Sequence, residues 1–164
     1  MSTATWVKNM LDEGGVAYEE LHHPEAFTAQ EMAQREHITG HRVAKVVVVI
    51  ADGRPIELIL PASRRVLLGQ LRMRLGARDV RLATEQEIEQ HFADCELGAM
   101  PPLRHWQGVD VLMDDSMRVD GDIVFQAGTH FDAVRMRFGD WFAMVKPRVD
   151  YFTAPVSYSQ TPGN

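Results

Sequence analysis

The sequence predicts an α+β (mixed α/β) fold: a single domain with a mostly antiparallel, barrel-like β-sheet surrounded by helices. Three observations carry this. Short β-branched or alternating runs recur along the chain, the strongest being Val43-Ala44-Lys45-Val46-Val47-Val48-Val49-Ile50-Ala51. Several runs are joined by turn residues, as at Asp52-Gly53-Arg54-Pro55, which makes hairpins and not the repeated crossovers of a doubly wound sheet. Helical segments with capping patterns fall between them. At 164 residues, with 45% hydrophobic and 24% charged content, the chain suits one core.

In chain order, residues 5–13 form an amphipathic helix with Val7, Met10 and Leu11 as its apolar stripe, closed by Gly14-Gly15. Residues 16–22 alternate weakly as a strand, which His23-Pro24 ends. Thr28-Ala29-Gln30-Glu31 is a capping box with Thr28 as N-cap, and its helix runs to about Arg35 with Ala29, Met32 and Ala33 inward. Residues 43–60 form an antiparallel hairpin whose second strand is Ile56-Glu57-Leu58-Ile59-Leu60, stopped by Pro61. Ser63 caps a helix to about Leu75, with Leu67, Leu68, Leu71 and Leu75 on one side and Arg65 and Arg72 on another; Gly76 closes it. Residues 80–83 are extended, and Thr84-Glu85-Gln86-Glu87 is a second capping box for a helix to about Phe92. Residues 97–103 carry no period and form a loop. Strands follow at 109–113, 123–127 and 133–137, with turns at 120–122 and 128–131, and a last short helix runs from Gly139 to about Val145. The domain spans 1–147. Residues 148–164, rich in Pro, Ser and Thr, read as a poorly packed tail.

The net charge is −6, which argues against a general nucleic-acid binder, but it is unevenly spread. Between positions 42 and 81 stand Arg42, Lys45, Arg54, Arg64, Arg65, Arg72, Arg74, Arg78 and Arg81 against only Asp52, Glu57 and Asp79, leaving that segment at +6 and the remainder at −12. Such a patch either pairs with the acidic parts of the chain or holds a phosphate backbone. The single cysteine, Cys95, excludes an internal disulfide and a CxxC metal site, and has no activating partner in the sequence. No apolar run approaches the ~20 residues of a membrane helix. The N-terminus lacks the basic and apolar regions of a signal peptide, so a cytoplasmic location with no membrane partner is expected.

Three features could carry chemistry. The first is Lys45, the one charge in the valine-rich strand, on the same face as Val47 and Val49. Such an ammonium must find a partner, reach water or lose its proton. Taken alone, the strand favours a lysine whose head reaches solvent over apolar surface. The second is Gly98-Ala99-Met100-Pro101-Pro102, where the prolines fix the backbone and Gly98 frees it. A loop so braced can aim the amides of Gly98, Ala99 and Met100 at an oxyanion, or serve as a rigid connector. The third is Gly128-Thr129-His130, a histidine after a glycine turn. His37 and His41 have the i, i+4 spacing of a zinc helix but lack its glutamate and enclose Gly40. Asp114, Asp115, Asp120 and Asp122 lack calcium-loop spacing, and neither a GxSxG elbow nor a Walker A loop is present.

Taken together and in this order, the strand-opening lysine, the G-x-x-P-P loop and the A-G-x-H turn at Ala127-Gly128-Thr129-His130 resemble the YbaK and prolyl-tRNA synthetase editing-domain superfamily. The resemblance runs from about Leu11 to Val145 and takes in Gly15-Val16-Ala17-Tyr18, His22, the helix from Thr28 and Val80-Arg81-Leu82-Ala83. It implies a mixed, barrel-like sheet with surrounding helices and a trans-editing deacylase that hydrolyses the ester of mischarged aminoacyl-tRNA, with no cofactor and no metal. It makes Lys45, Gly98, Ala99 and Met100 the catalytic set, Lys45 lying near the ester or terminal phosphate. His130, Gly128, Thr129, Pro101, Met32 and Thr28 become substrate-binding residues, and Arg42, Arg65 and Arg72 candidate tRNA contacts. In related enzymes the terminal ribose hydroxyl helps activate water, which suits a sequence without an evident general base. The partners implied are the acceptor end of a mischarged tRNA and an aminoacyl-tRNA synthetase. Val46 stands where many relatives carry a small polar residue, and Met100 where many carry a small one, which leaves the edited amino acid open. The alternatives are a catalytically silent module that binds aminoacyl-tRNA or a small aminoacyl ligand, and an interaction protein that keeps only the fold.

Overall fold

The computed structural model describes residues 4–23, 25, 29–35 and 38–156. Thr28, with its expected cap, lies outside them. The elements are α1 (Thr5–Glu13), β1 (Tyr18–His22), α2 (Ala29–Arg35), β2 (Val43–Ala51), β3 (Arg54–Pro61), β4 (Arg64–Val66), α3 (Leu68–Leu75), β5 (Val80–Leu82), α4 (Glu85–His91), β6 (Asp110–Asp114), β7 (Asp122–Gln126), β8 (Asp132–Arg137), α5 (Phe138–Val145), β9 (Arg148–Asp150) and β10 (Thr153–Pro155).

The fold is mixed α/β, and its sheet differs from the barrel expected. The strands run in the order β1-β8-β7-β2-β3-β6-β9, with β5 beside β2. The β1–β8, β7–β8, β2–β3 and β2–β5 ladders are antiparallel. The β2–β7, β3–β6 and β6–β9 ladders are parallel. Among the described residues the sheet is therefore mixed and open, with β1 and β9 at its edges. Hairpins show in local patterning, whereas parallel partners arrive after long connections that no local period reports.

Two further corrections concern the chain after β3. Ser63 caps no helix: Arg64–Val66 pairs with Thr153–Pro155, and α3 starts at Leu68 with Leu67 as an N-cap lacking a side-chain hydrogen bond. Arg65 and Arg72 thus share no helix face. The expected loose tail is packed as far as it is described. Strand β9 joins β6, Phe152 is fully buried, and its carbonyl accepts the Leu67 N–H at 2.8 Å. Asp114 holds this segment, accepting from Phe152 N (2.8 Å) and Thr153 Oγ1 (2.9 Å). Residues 157–164 lie outside the described residues.

Apolar burial fixes the two sheet faces. On one, Met113, Phe125 and Val134 of the sheet share a buried cluster with Leu11 of α1 and Trp141 of α5. In α5, Phe138, Trp141 and Val145 recur at helical spacing and are buried. The other face packs Leu58, Leu60 and Phe152 against Leu71 of α3. The second capping box forms as expected, with Thr84 and Glu87 satisfying each other's amides.

Candidate functional site

Strand β2 pairs with β3 along its whole length. Its other edge is only partly covered. Strand β7 pairs with Val43 and Ala44, β5 starts opposite Val49, and the Ala83 N–H reaches the Val48 carbonyl at 3.0 Å. A cleft of about 330 Å³ opens along the uncovered stretch. Lys45, Val46, Val47 and Val48 form its β2 wall, and Gly98 and Met100 of the proline loop also line it. Leu82, Ala83 and Ile88 close one end, with Ala29 and Gln126 completing the lining.

Lys45 is half-buried and, among the described residues, has no ion-pair partner. Loss of water lowers its pKa from that of an ordinary lysine. Among the described residues, the only polar side chain in the lining besides Lys45 is Gln126, and no carboxylate or imidazole stands there. A cation in a cleft otherwise lined, among those residues, by apolar groups and one amide is suited to an anion or to a centre that becomes one.

The proline loop is braced, though not in the way its sequence suggests. Gly98 sits at φ +84°. Ala99 is fully buried, and its N–H donates to the Glu96 carbonyl at 3.0 Å, so that amide is not free for a ligand. Among the described residues, the amides of Gly98 and Met100 have no hydrogen-bond partner. Pro101 is buried away from the cleft, and the Pro102 carbonyl accepts Trp141 Nε1 at 2.8 Å, tying the loop to the core.

The glycine–histidine turn supports this loop from below. Gly128 N donates to the Ala99 carbonyl (3.0 Å), and Glu96 N donates to the Gly128 carbonyl (2.8 Å). Gly128 has φ +92°, and a Cβ there would lie 2.8 Å from Ala4 Cβ, so glycine is required on both counts. Thr129 Oγ1 donates to buried Asp132 at 2.5 Å, and His22 Nδ1 meets the other oxygen of the same carboxylate. His130 is buried 3.7 Å from Glu96 and does not line the cleft. Nor does Thr129, and Met32 is fully buried beneath Ala29. Arg42 donates to the carbonyls of Asp120 (2.7 Å) and Asp122 (3.2 Å), a bracing role. Arg65 and Arg72 are exposed.

The sequence reading passed over several features. Gln126, Ala29 and the Leu82–Ile88 end of the cleft gave no local sign. Glu57 did give one, as an acid inside the apolar run of β3. It is fully buried, and neither carboxylate oxygen has a hydrogen-bond partner. Burial raises its pKa well above the usual carboxylate range, only partly offset by the Arg104 guanidinium and the nearby Leu103 amide. That amide already donates to the Pro101 carbonyl at 2.9 Å. Burial, with the negative charges of Asp94, Glu57 and Glu96 close by, pushes the Cys95 thiol up to about 12, so it is not a nucleophile at neutral pH.

Residues 23–143 match the model of a family described as an aminoacyl-tRNA editing domain. Among solved structures, the hypothetical protein APE2540 superposes with a TM-score of 0.82 at 15% identity, covering 90% of this chain and 99% of that one. A candidate trans-editing enzyme for prolyl-tRNA synthetase gives 0.78 at 21% identity, covering 92% and 96%. A candidate signal transduction protein from Marinobacter aquaeolei VT8 gives 0.71 at 16% identity over 94% of this chain and 31% of its own. At these identities the likeness is one of fold.

Proposed function

This chain belongs to the aminoacyl-tRNA editing domain family, and on that premise we propose that it is a trans-editing deacylase hydrolysing the ester of mischarged aminoacyl-tRNA. The observation that carries the reading is Lys45, half-buried and without an ion-pair partner among the described residues, sharing one cleft with Gly98 and Met100. Water adds to the acyl carbon, the bond from that carbon to the ribose oxygen breaks, and a proton passes to the ribose oxygen. Free amino acid and tRNA are the products. The Gly98 and Met100 amides stabilise the oxyanion of the tetrahedral intermediate. The Lys45 ammonium neutralises the terminal phosphate or the departing ribose oxygen. With no carboxylate or imidazole in the lining among the described residues, water is deprotonated with help from the neighbouring ribose hydroxyl of the substrate.

The protein acts in the cytoplasm, alone or beside an aminoacyl-tRNA synthetase, and needs no cofactor. Arg65 and Arg72, exposed on β4 and α3, remain as acceptor-stem contacts, while Arg42 is committed to the fold. No described helix is long and apolar enough to cross a membrane.

The absence of a side-chain base among the described residues of the lining also favours a second reading, a module that binds aminoacyl-tRNA without cleaving it. A panel of alanyl-, seryl-, cysteinyl- and threonyl-tRNA mispairs separates the two. The deacylase reading expects ester loss above the uncatalysed rate for at least one member. Salt-sensitive, Lys45-dependent binding without turnover would support the silent module instead.

A further inference from the structure

Resting on the deacylase reading, we infer that the aminoacyl group docks on the main chain of Val46 as a one-residue β-strand, its amine on the Val46 carbonyl and its acyl oxygen on the Val46 N–H.

The Ala62 N–H donates to the Val43 carbonyl at 2.8 Å, from the β3 side of β2. Main-chain groups alternate in direction along a strand, so Val43, Lys45, Val47 and Val49 turn theirs toward β3. Ala44, Val46, Val48 and Ile50 turn theirs to the opposite edge. The bond from Ala83 N to the Val48 carbonyl, on that opposite edge, agrees with the assignment. Ala44 lies in the β7 ladder, and Ile50 lies in the β5 ladder opposite Arg81. Val46 falls between the two, so its N–H and C=O face the cleft without a ladder partner among the described residues.

The gap fits a single residue. Gln126 at the end of β7 bounds the cleft on one side, and Leu82 and Ala83 bound it on the other. An extended peptide would meet these neighbours. A directly opposed, hydrogen-bonded pair in an antiparallel ladder exchanges two bonds, each residue giving one N–H and one C=O. An α-aminoacyl group carries an amine and a carbonyl across one carbon and so matches one member of such a pair. Among the described residues the lining holds no carboxylate for an ammonium. An α-amino group titrates near about 8 and is lowered further by a neighbouring cation. Beside Lys45 it therefore binds as the neutral amine, donating to a carbonyl. The Val46 N–H holds the acyl oxygen in the ground state, and the Gly98 and Met100 amides join it as charge develops.

The pairing also says where the amino-acid side chain goes. Opposed residues of a ladder share one sheet face. Val46, Ala83, Ile88 and Met100 all line the cleft and pack against the same buried cluster of Val48, Phe92 and Val109, so the substrate's side chain lies among Ala83, Ile88 and Met100.

The test uses two non-hydrolysable probes: 3′-deoxy-3′-(L-alanylamino)adenosine, and its propionyl counterpart, which lacks the amine. In amide-resolved NMR, the alanyl probe should shift the Val46 resonance and slow its hydrogen exchange. The propionyl probe should bind about tenfold more weakly, as loss of one good hydrogen bond requires. Kinetically, Val46→Pro removes the inferred donor and no ladder bond. Its deacylation rate should fall about tenfold or more below that of Val46→Ala, which keeps the amide. The inference is overturned, with the deacylase reading intact, if the parent cleaves mischarged tRNA while the Val46 amide is unmoved by the bound probe, or if both variants cleave at the same rate. If the parent cleaves no mischarged tRNA, the deacylase reading falls and the inference falls with it.

Discussion

Two regions of the molecule hold charges away from water and treat them in opposite ways. At the C-terminal seam, Asp114 accepts from Phe152 N, Thr153 Oγ1 and Ser116 N. Asp150 beside it accepts from Arg74 Nε at 2.5 Å, Arg148 Nη2 at 3.2 Å and Tyr151 N at 2.8 Å. For both groups these bonds outweigh burial and hold the carboxyl below its usual range. Around the cleft, among the described residues, Lys45 has no ion-pair partner and neither Glu57 carboxylate oxygen a hydrogen-bond partner, and for both groups burial disfavours the charged form. The seam uses its charges to hold the fold. The cleft keeps one cation in its wall, and Glu57 on the neighbouring strand is an acid whose charged form burial disfavours, as expected where stability is given up for a task.

This contrast can be broken most forcefully at the seam. Asp114→Ala strands the Phe152 amide and the Thr153 hydroxyl and should lower stability by about 3 kcal/mol in denaturant unfolding. The folded-state pKa of Asp114 is depressed, so its contribution is present above the unfolded value and lost as pH falls through the folded one. The parent should lose stability in acid, and the variant should show less of that loss. An unchanged unfolding midpoint in Asp114→Ala would remove the seam from the account.

Gly128→Ala comes next. It adds a Cβ 2.8 Å from Ala4 at a positive φ and should cost about 2 kcal/mol. Because Gly128 carries the Ala99 loop, it should also slow deacylation more than an equally destabilising change in α3. Equal slowing by the two would deny the turn its positioning role.

Glu57→Gln is smaller and depends on pH. Glu57's folded pKa is raised, so its contribution to stability is complete below the unfolded carboxylate value and is lost as pH rises through the folded one. Parent stability should decline by about 1 kcal/mol or more from mildly acidic to alkaline pH, and Glu57→Gln should flatten that decline. Parallel pH profiles would mean that Glu57 has a partner after all.

Met100→Ala should have the least effect on the fold. By enlarging the cleft beside Val46 it should shift preference toward larger amino acids by about tenfold. Unaltered ratios across the tRNA panel would put the side-chain pocket elsewhere.

Much of the fold was legible because its signals are local. The first helix, the β2–β3 hairpin and the Thr84 capping box announce themselves through stripe, alternation and cap. Strand β4 did not, because the partner that makes Arg64–Val66 a strand, Thr153–Pro155, lies some ninety residues away. The leucines that seemed to extend the helix back to Ser63 belong to α3 only from Leu68. The packed tail was hidden for the same reason: its polar composition says nothing of Asp114 waiting to accept its amides. In the site, Lys45 stood out as a charge in an apolar strand. Ala99 was misjudged, since spacing gives the direction of no N–H. The open edge at Val46 is set by where two other strands stop and cannot be read from its own stretch. Glu57 broke the apolar run of β3 as visibly as Lys45 broke that of β2, and only the motif context drew attention to one and not the other.

On the proposed function Lys45, partly desolvated and without an ion-pair partner among the described residues, is held for chemistry and not for the fold. Lys45→Met tests both halves in one protein. Its folded pKa is depressed, so the protonated lysine disfavours folding below that value, and the penalty disappears only as pH rises toward 10.5 and above. At neutral pH, Lys45→Met should unfold at the same or higher denaturant concentration than the parent, while single-turnover deacylation of mischarged tRNA falls about a hundredfold or more. A variant that is less stable yet hydrolyses at the parent rate would show that Lys45 is a structural lysine and that the catalytic centre lies elsewhere.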